Sequence, residues 1–578
     1  MFDRLAGGLD GNPNQALKLF EIYSVQRLTA DIPDVESGQI VYFMAPTVQN
    51  LVLLVTHVRT RMNDPTKSAA SFSVIFYPQK LYHCDVYLER EGLWGDLKTF
   101  DLGSSFVPID KDVWSLEAPF VFENLFLEND LSWVGTIAKC LLTLQTQEVF
   151  GCFSKICGIG KYSSMIHECL LQMQQVHGQT KKPGAISDIH TLVIIDRDVD
   201  YITPLMTPLT YEAALDEVYG LKCGNVKIPP KPGAEDQKPK CLVVNSVRNP
   251  ELNEVRDLHL SVALKHMRSM VDRLQEGEKK VSNISNVSTL KDFVDKLPDH
   301  LKEKSFLTTH FELLGNIIEI RGTHHLIKEL QIEHSLVQLY NQPESLSAIE
   351  DILSNAFPSD LPHWSDCLRL IALASLTMDG LPKAELNRFQ LAAFSTFGPE
   401  MVHSLKKMEL AGLIAETGAV AAVKQFVSNA AKPQTVGSWS YKTALKKLPL
   451  PPAANFNAKM AESPTEPSYI FNGAYVPTSV RLVEYFLSLP SGQAPAEDMA
   501  SYLRYKPFVH EPTASVRGAN SQLTAKWPKS ALICFVGGAS YTEVAALRLL
   551  GKRKNCQIAI ATTAMINGRS FMKQFKFT

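Results

Sequence analysis

No apolar run in this chain reaches the ~18 residues that a membrane-spanning helix needs; even 368–378 is interrupted by Arg369. The last residues, 575–578, carry neither a polybasic tail nor a lipidation motif, so membrane association is expected to be indirect, through partners. The opening MFDRLAGGLDG lacks the apolar segment of a secretion signal. Cysteine forms no dense framework: 10 residues are scattered along the chain, the usage of a reducing compartment, which points to a cytoplasmic protein. Neither sign of charge dominates, since 58 Lys and Arg stand against 60 Asp and Glu for a net charge of -2. That balance excludes the basic excess of a typical nucleic-acid binder.

What is present is most informative at 191–220, TLVIIDRDVDYITPLMTPLTYEAALDEVYG. Four apolar residues run into Asp196, Asp198 and Asp200, then into a Thr-Pro-rich turn and a helix-like tail. This reads as a buried strand whose C-terminal end emerges at a loop. In an open α/β sheet that end of a strand is where ligand sites form. An EF-hand loop starting at Asp196 would need Gly at its sixth position and Glu at its twelfth, where Tyr201 and Thr207 stand. A phosphohydrolase also places D-x-D after an apolar strand, with Asp196 as nucleophile and Asp198 as acid/base near magnesium. It would need further acids at another strand end, yet 532–536 runs into Gly537, Gly538, Ala539 and Ser540 with no carboxylate before Glu543. The favoured reading is a structural turn whose Asp side chains accept backbone N–H bonds and pair with Arg197.

Other chemical signals are weaker. Gly158-Ile159-Gly160-Lys161 misses a phosphate loop twice, at Lys155 and at Tyr162. Cys152, Cys157, His167 and Cys169 lack the C-x-x-C spacing of a structural zinc site. No cofactor and no catalytic or metal-binding residue is expected.

With 578 residues the chain exceeds what one core serves, so several domains are expected. The first third alternates strands (39–44, 72–77) with helices (47–59, 79–89), the pattern of a parallel sheet covered by helices. Helices at 131–147 and 162–176 precede the strand at 192. From 249 to about 330 the pattern is helical, interrupted at Leu297-Pro298; further helices fall at 364–378, 383–394 and 399–410. Proline-rich stretches at 228–240 and 433–467 flank this insertion. The chain then returns to α/β with a strand at 531–536, a helix at 541–550 closed by Gly551, and a strand at 557–562.

The 191–220 segment resembles the signature of the Sec-one/Munc-eighteen (SM) family, whose members chaperone SNARE assembly. VIFYPQKLYHCDVYLEREGLWGD (74–96), GPEMVHSLKKMELAGLI (398–414), YIFNGAYVPTSVRLVE (469–484) and FVGGASYTEVAALRLLG (535–551) are similar, in the same order, to the vacuolar-protein-sorting thirty-three branch. They sit nearer its B-type than its A-type, through Pro78 to Lys80 and Gly473 to Pro477. The resemblance implies a three-lobed α/β architecture with parallel-sheet domains and an inserted, mainly helical domain. Its parts are an N-terminal α/β domain at 1–110, a central α/β domain in two pieces at 111–225 and 466–578 sharing one sheet, and the helical insertion at 226–465. Relatives carry a further strand and helix ahead of the region resembling 1–28, so the first domain is expected to be shortened, with an open sheet edge. The signature residues carried over are Asp196, Arg197, Asp198, Asp200, Pro204, Tyr211 and Glu212.

The resemblance also implies a non-enzymatic template: SNARE helices held in register on a helical hairpin, within a tethering complex, on late endosome and lysosome membranes. The hairpin is expected between Lys302 and Tyr340, with its tip at His324 and His325 facing solvent. Leu307, Phe311, Leu314 and Ile318 form one apolar stripe and are expected to face the core. Phe306, Leu313 and Ile317 lie partly off it, and with Lys302 and Lys304 they are the expected SNARE contacts. A Vps-sixteen-like or VIPAR-like solenoid is the expected constitutive partner, docking around 368–410, with class C tethering subunits beyond it. The alternatives are a D-x-D phosphohydrolase and an SM-derived scaffold without SNARE contact.

Overall fold

The computed structural model describes residues 22, 24–31, 38–64, 70–103, 106–146, 153–176, 189–230, 239–282, 287–354, 364–417, 440–448, 456–511 and 527–576. Alternation of apolar strand and amphipathic helix builds the first lobe as expected: β1 (Gln39–Met44), α1 (Val48–Met62), β2 (Ser71–Phe76), α2 (Tyr82–Arg90) and β3 (Leu97–Asp101). Thr47 starts α1 because its hydroxyl accepts the Asn50 N–H. The three strands pair in parallel in the order β1-β2-β3. Leu51, Leu54 and Val58 of α1 and Cys84 and Leu88 of α2 share a buried cluster with Val74 and Phe76 of β2.

The central sheet draws strands from both ends of the chain. Its members are β4 (Val107–Pro108), β5 (Val113–Ser115), β6 (Lys155–Ile159), β7 (Thr191–Asp196), β11 (Phe508–His510), β12 (Ser530–Val536) and β13 (Gln557–Thr562). They lie in the order β11-β6-β7-β12-β13-β5-β4. The sheet thus begins at Val107, slightly ahead of the expected boundary at 110. Strand β12 enters between β7 and β13, parallel to both, with Cys534 opposite Ile194 and Ala561. All six residues of β7 and all seven of β12 are buried, which is why both read as unbroken apolar runs. Helices α3 (Ser132–Thr146) and α4 (Lys161–Val176) share a core with Leu192, Ile194, Leu532 and Cys534. The alternate residues Val193, Ile195, Ile533 and Phe535 belong to the core that joins the helical insertion.

After α5 (Tyr211–Tyr219) a small antiparallel sheet, β8 (Leu221–Lys222), β9 (Asn225–Ile228) and β10 (Lys240–Val243), leads into the helices. Here the structure corrects the sequence reading. The packed pair is α6 (Leu260–Ser282) against α7 (Val287–Arg321), so the helices that pack on each other are these two and not the pair on either side of His324-His325. Helix α7 runs 35 residues straight through Leu297-Pro298, so that proline is no boundary. It removes one backbone donor from a long helix that keeps the rest of its ladder. Beyond a short turn at Gly322 and Thr323, α8 (His324–Val337) leaves α7 and packs on α9 (Gln342–Ser354) and α10 (Trp364–Thr377). The side chains of His324 and His325 lie outside the described residues.

Helices α11 (Lys383–Phe397) and α12 (Met401–Ala411) follow, the latter stopping at Gly412 in the left-handed region. In the final part α13 (Thr478–Ser488) precedes β11, and α14 (Tyr541–Lys554) connects β12 to β13. Helix α14 passes Gly551 and ends at Asn555, which adopts φ 51°. Gly551 is required for packing: a Cβ there would sit 2.7 Å from the Cys556 carbonyl oxygen. No helix among the described residues is long and apolar enough to cross a membrane.

Candidate functional site

The acidic signature lies at the C-terminal end of β7, and its charges are spent on structure. Asp196 is fully buried and accepts from the backbone N–H groups of Tyr162 (2.7 Å) and Ser163 (2.8 Å) at the start of α4. Burial, with Asp198 nearby, pushes its pKa well above the usual carboxylate range. Gly160 makes room for it, since a Cβ there would fall 2.2 Å from the Asp196 carboxyl carbon. Asp198 accepts from the Tyr505 hydroxyl and faces Arg504 at 3.7 Å. Asp200 accepts from Thr203 N and Oγ1 and from Ser479 N of α13. Asp196 has no approach for a substrate and no free oxygen for attack, so the D-x-D phosphohydrolase reading is overturned.

Arg197 corrects the expected local pairing. Its guanidinium forms a buried bidentate pair with Glu543 of α14, at 2.8 and 3.0 Å, and donates to the Asp200 backbone carbonyl. The nearest acid after β12 is therefore present at the turn, as the counter-ion of a structural arginine. Glu543 also closes a capping box with Ser540, a signal readable in the sequence as S-x-x-E. Pro204 is buried in a short helical turn, Ile202–Leu205, and its carbonyl lies 3.2 Å from where a Cβ of Gly568 would stand.

Further along, the signature meets the helical lobe. Thr207 donates to Glu333 of α8 from N (2.7 Å) and Oγ1 (2.6 Å). Arg369 of α10 bridges Glu333 (2.7 Å) and Glu329 (3.2 Å) and donates to the Leu205 carbonyl. Glu212 holds Arg256 and Arg548 at 2.8 and 2.9 Å, and these reach Asp110 and Asp112. Sequence reading missed Glu543, Tyr505, Glu333, Arg369 and Arg548, because partners tens to hundreds of positions apart leave no local pattern.

The expected SNARE contacts divide. Lys302 and Lys304 are exposed on α7. Phe306, Leu313 and Ile317 are 5%, 2% and 0% exposed and do not face outward. Helix α7 buries two adjacent stripes at once, because its second half is wedged between α6 and α5. Phe306, Leu307, Leu313, Leu314 and Ile317 share a core with Met267 and Met270 of α6 and Tyr211, Ala214 and Leu215 of α5. Phe311 and Ile318, expected at the centre of the core, are only partly buried at its margin. Among the described side chains, the apolar residues that α7 exposes are Leu301, 58% exposed and next to Lys302, and Ile320 near its end.

Among the described residues no cluster of three or more His, Cys, Asp or Glu is placed to hold a metal. Cys152 lies outside the described residues; Cys157 is buried in β6 with its thiol pushed up to about 12 by burial. The site defined by this geometry is a set of interlobe struts beside the packed helices α6 and α7. Residues 14–574 match the Sec1 family model, and the chain belongs to that family. It is 27% identical to human vacuolar protein sorting-associated protein 33B, over 99% of this chain and 91% of that one. The zebrafish 33B is 28% identical over 92% of this chain and 85% of its own length. The Arabidopsis protein 33 homolog follows at 26%, over 95% and 88%. Among solved structures, the SM protein Vps45 in complex with the Qa SNARE Tlg2 shares the fold, with TM-score 0.57 and 16% identity over 99% of this chain and 92% of that one. Sly1p in complex with an N-terminal peptide of Sed5p gives 0.55 and 15%, over 94% and 85%. Family membership, with relatives of the protein 33 kind, makes this a regulatory, non-enzymatic protein of vesicle traffic.

Proposed function

We propose that this protein regulates SNARE assembly in endosome-to-lysosome fusion, with the α6–α7 hairpin as a surface on which SNARE helices are held in register. Lining up otherwise disordered segments on a rigid template lowers the entropy lost when they zip together. The observation that carries this reading is exposed Leu301 on α7 with exposed Lys304 one turn on along the same face, an apolar contact beside charge. Support by fold comes from the solved complexes of the SM protein Vps45 with the Qa SNARE Tlg2 and of Sly1p with an N-terminal peptide of Sed5p. The protein works as three lobes bounded near 110, 225 and 465, in the cytoplasm at late endosome and lysosome membranes. There it is held by a Vps-sixteen-like or VIPAR-like solenoid and, through it, by a class C tethering complex.

Leu301→Arg tests the template. Recombinant SNARE motifs should bind the variant about tenfold more weakly or worse, the loss typical of a charge placed in an interface hot spot. The melting temperature should be unchanged, since the residue is on the surface. A folded Leu301→Arg protein that binds every SNARE motif as well as the unmodified chain would favour a scaffold without SNARE contact.

A further inference from the structure

The signature segment does not end at its acidic turn; it continues as α5, and one face of α5 lies under the hairpin. Three polar contacts climb from α5 to α7. The Tyr211 hydroxyl meets His310 Nδ1 at 2.7 Å, Asn316 Nδ2 donates to the Tyr219 hydroxyl at 3.4 Å, and Arg321 Nη2 stands 4.0 Å from Glu217 Oε2. The first is the shortest and is buried on both sides, with His310 1% and Tyr211 0% exposed. The His310 ring stacks on Phe306 with centroids 4.1 Å apart and meets the Tyr211 ring edge-on at 5.9 Å. Burial lowers the His310 pKa to about 4, so at neutral pH the imidazole is uncharged and its Nδ1 is free to accept the phenolic proton.

The apolar packing divides along the same line. Helices α5, α6 and α7 share a core cluster with Leu221 and Val226 of the small antiparallel sheet, with Val244, Leu252 and Val255, and with Tyr541 of α14, whereas β6, β7, β12 and β13 of the central sheet belong to the other two clusters. Hairpin and seat therefore share a core distinct from that of the central sheet. Helix α7 is 35 residues long, about 52 Å at 1.5 Å per residue, so a small tilt at its base is enlarged at the distal end.

We infer that α5 is the seat that sets the angle of the α6–α7 hairpin and that the Tyr211–His310 hydrogen bond is its joint, His310 being a positioning residue for whatever the hairpin holds. The inference rests on the proposed template role only for its biological consequence; the joint itself is a property of this chain alone.

Hydrogen–deuterium exchange on the full-length protein reads the joint without any partner. Tyr211→Phe removes one oxygen and keeps the ring, and His310→Leu removes the ring acceptor at 2.7 Å, leaving the hydroxyl only the longer bond to the residue 310 backbone carbonyl at 3.4 Å. Each should speed exchange of the amides at 306–321 on the order of tenfold, the loss of roughly one buried hydrogen bond. Exchange in Thr191–Asp196 and Ser530–Val536 should not change. His310→Gln, which restores an acceptor, should return exchange at 306–321 toward that of the unmodified chain, and Tyr211→Phe with His310→Leu should be no worse than either alone. Unchanged exchange in both single variants, or a uniform rise across the chain, would overturn the joint. A SNARE-binding arm separates the two readings. If exchange rises and SNARE affinity falls with it, both stand. If exchange rises while SNARE affinity holds, the joint stands and the template role of the hairpin falls.

Discussion

Leu313 shows how a single position decides between surface and core. Its offset from the Leu307, Phe311, Leu314 and Ile318 stripe makes it look outward on a helical wheel, yet it is 2% exposed because α7 has neighbours on two sides. Leu313→Arg would bury a guanidinium with no counter-ion prepared for it, a change that typically costs about 3–5 kcal/mol. The expected outcome is a melting temperature lowered by many degrees, or insoluble protein. A Leu313→Arg protein melting like the unmodified chain would show that the second stripe of α7 is loosely packed. Arg197 and Glu543 make the converse point, since a buried pair of this kind is strongly destabilised by losing one partner.

At the scale of elements, helix α5 carries a pH dependence. Asp216 accepts from Leu221 N at 2.7 Å and from Asn567 Nδ2 at 3.0 Å, but burial raises its pKa to about 7. In the unfolded chain it titrates near the ordinary value of 3.8. Between those values the native state binds the proton and the unfolded state does not, so this group's contribution to stability falls as pH rises from about 4 through 7. Asp216→Asn removes that slope. Urea unfolding of the two proteins should show the variant gaining relative to the unmodified chain between pH 5.5 and pH 8; a difference independent of pH would mean that Asp216 stays ionised in the fold.

Elements with a simple period were legible from the sequence. The strand at 39–44 and the strand at 557–562 fall where alternation and apolar runs put them, because each signal is local. The turn of the hairpin was not. Gly322, Thr323 and two histidines look like a helix break, and so they are, but the chain after the break packs on α9 and α10 rather than back along α7. Periodicity reports which face of a helix is apolar and is silent about which neighbour covers it. The same limit hid Glu543 from Arg197, although S-x-x-E announced the helix cap.

On the scale of the whole molecule, the proposed solenoid partner is expected to meet the helical lobe at α11 and α12. Leu391 of α11 and Leu410 of α12 are 67% and 70% exposed, with Phe394 exposed nearby. The two helices are tied by Gln390 Nε2 to Glu409 Oε1 at 3.3 Å. Co-expression with a Vps-sixteen-like or VIPAR-like subunit should give one complex on gel filtration at micromolar concentration. Leu391→Asp with Phe394→Asp should separate the two while leaving the melting temperature of the free chain within a degree or two, because exposed apolar residues contribute little to folding. Co-elution of the double variant would move the docking surface elsewhere.

The placement of Ser530–Val536 between the flanking strands Thr191–Asp196 and Gln557–Thr562 has a consequence for biosynthesis. Arg197 waits for a partner 341 positions later, the Gly538 carbonyl, and β7 waits about as long for the strand that fills its second edge. At ~5–20 residues per second, a ribosome takes roughly 17–70 s to make that stretch. Throughout that interval a strand with four consecutive apolar residues, Leu192 to Ile195, stands unpaired on one edge beside an arginine that lacks its counter-ion. Shielding of that apolar edge during synthesis is therefore expected to be needed until Ser530–Val536 has been made.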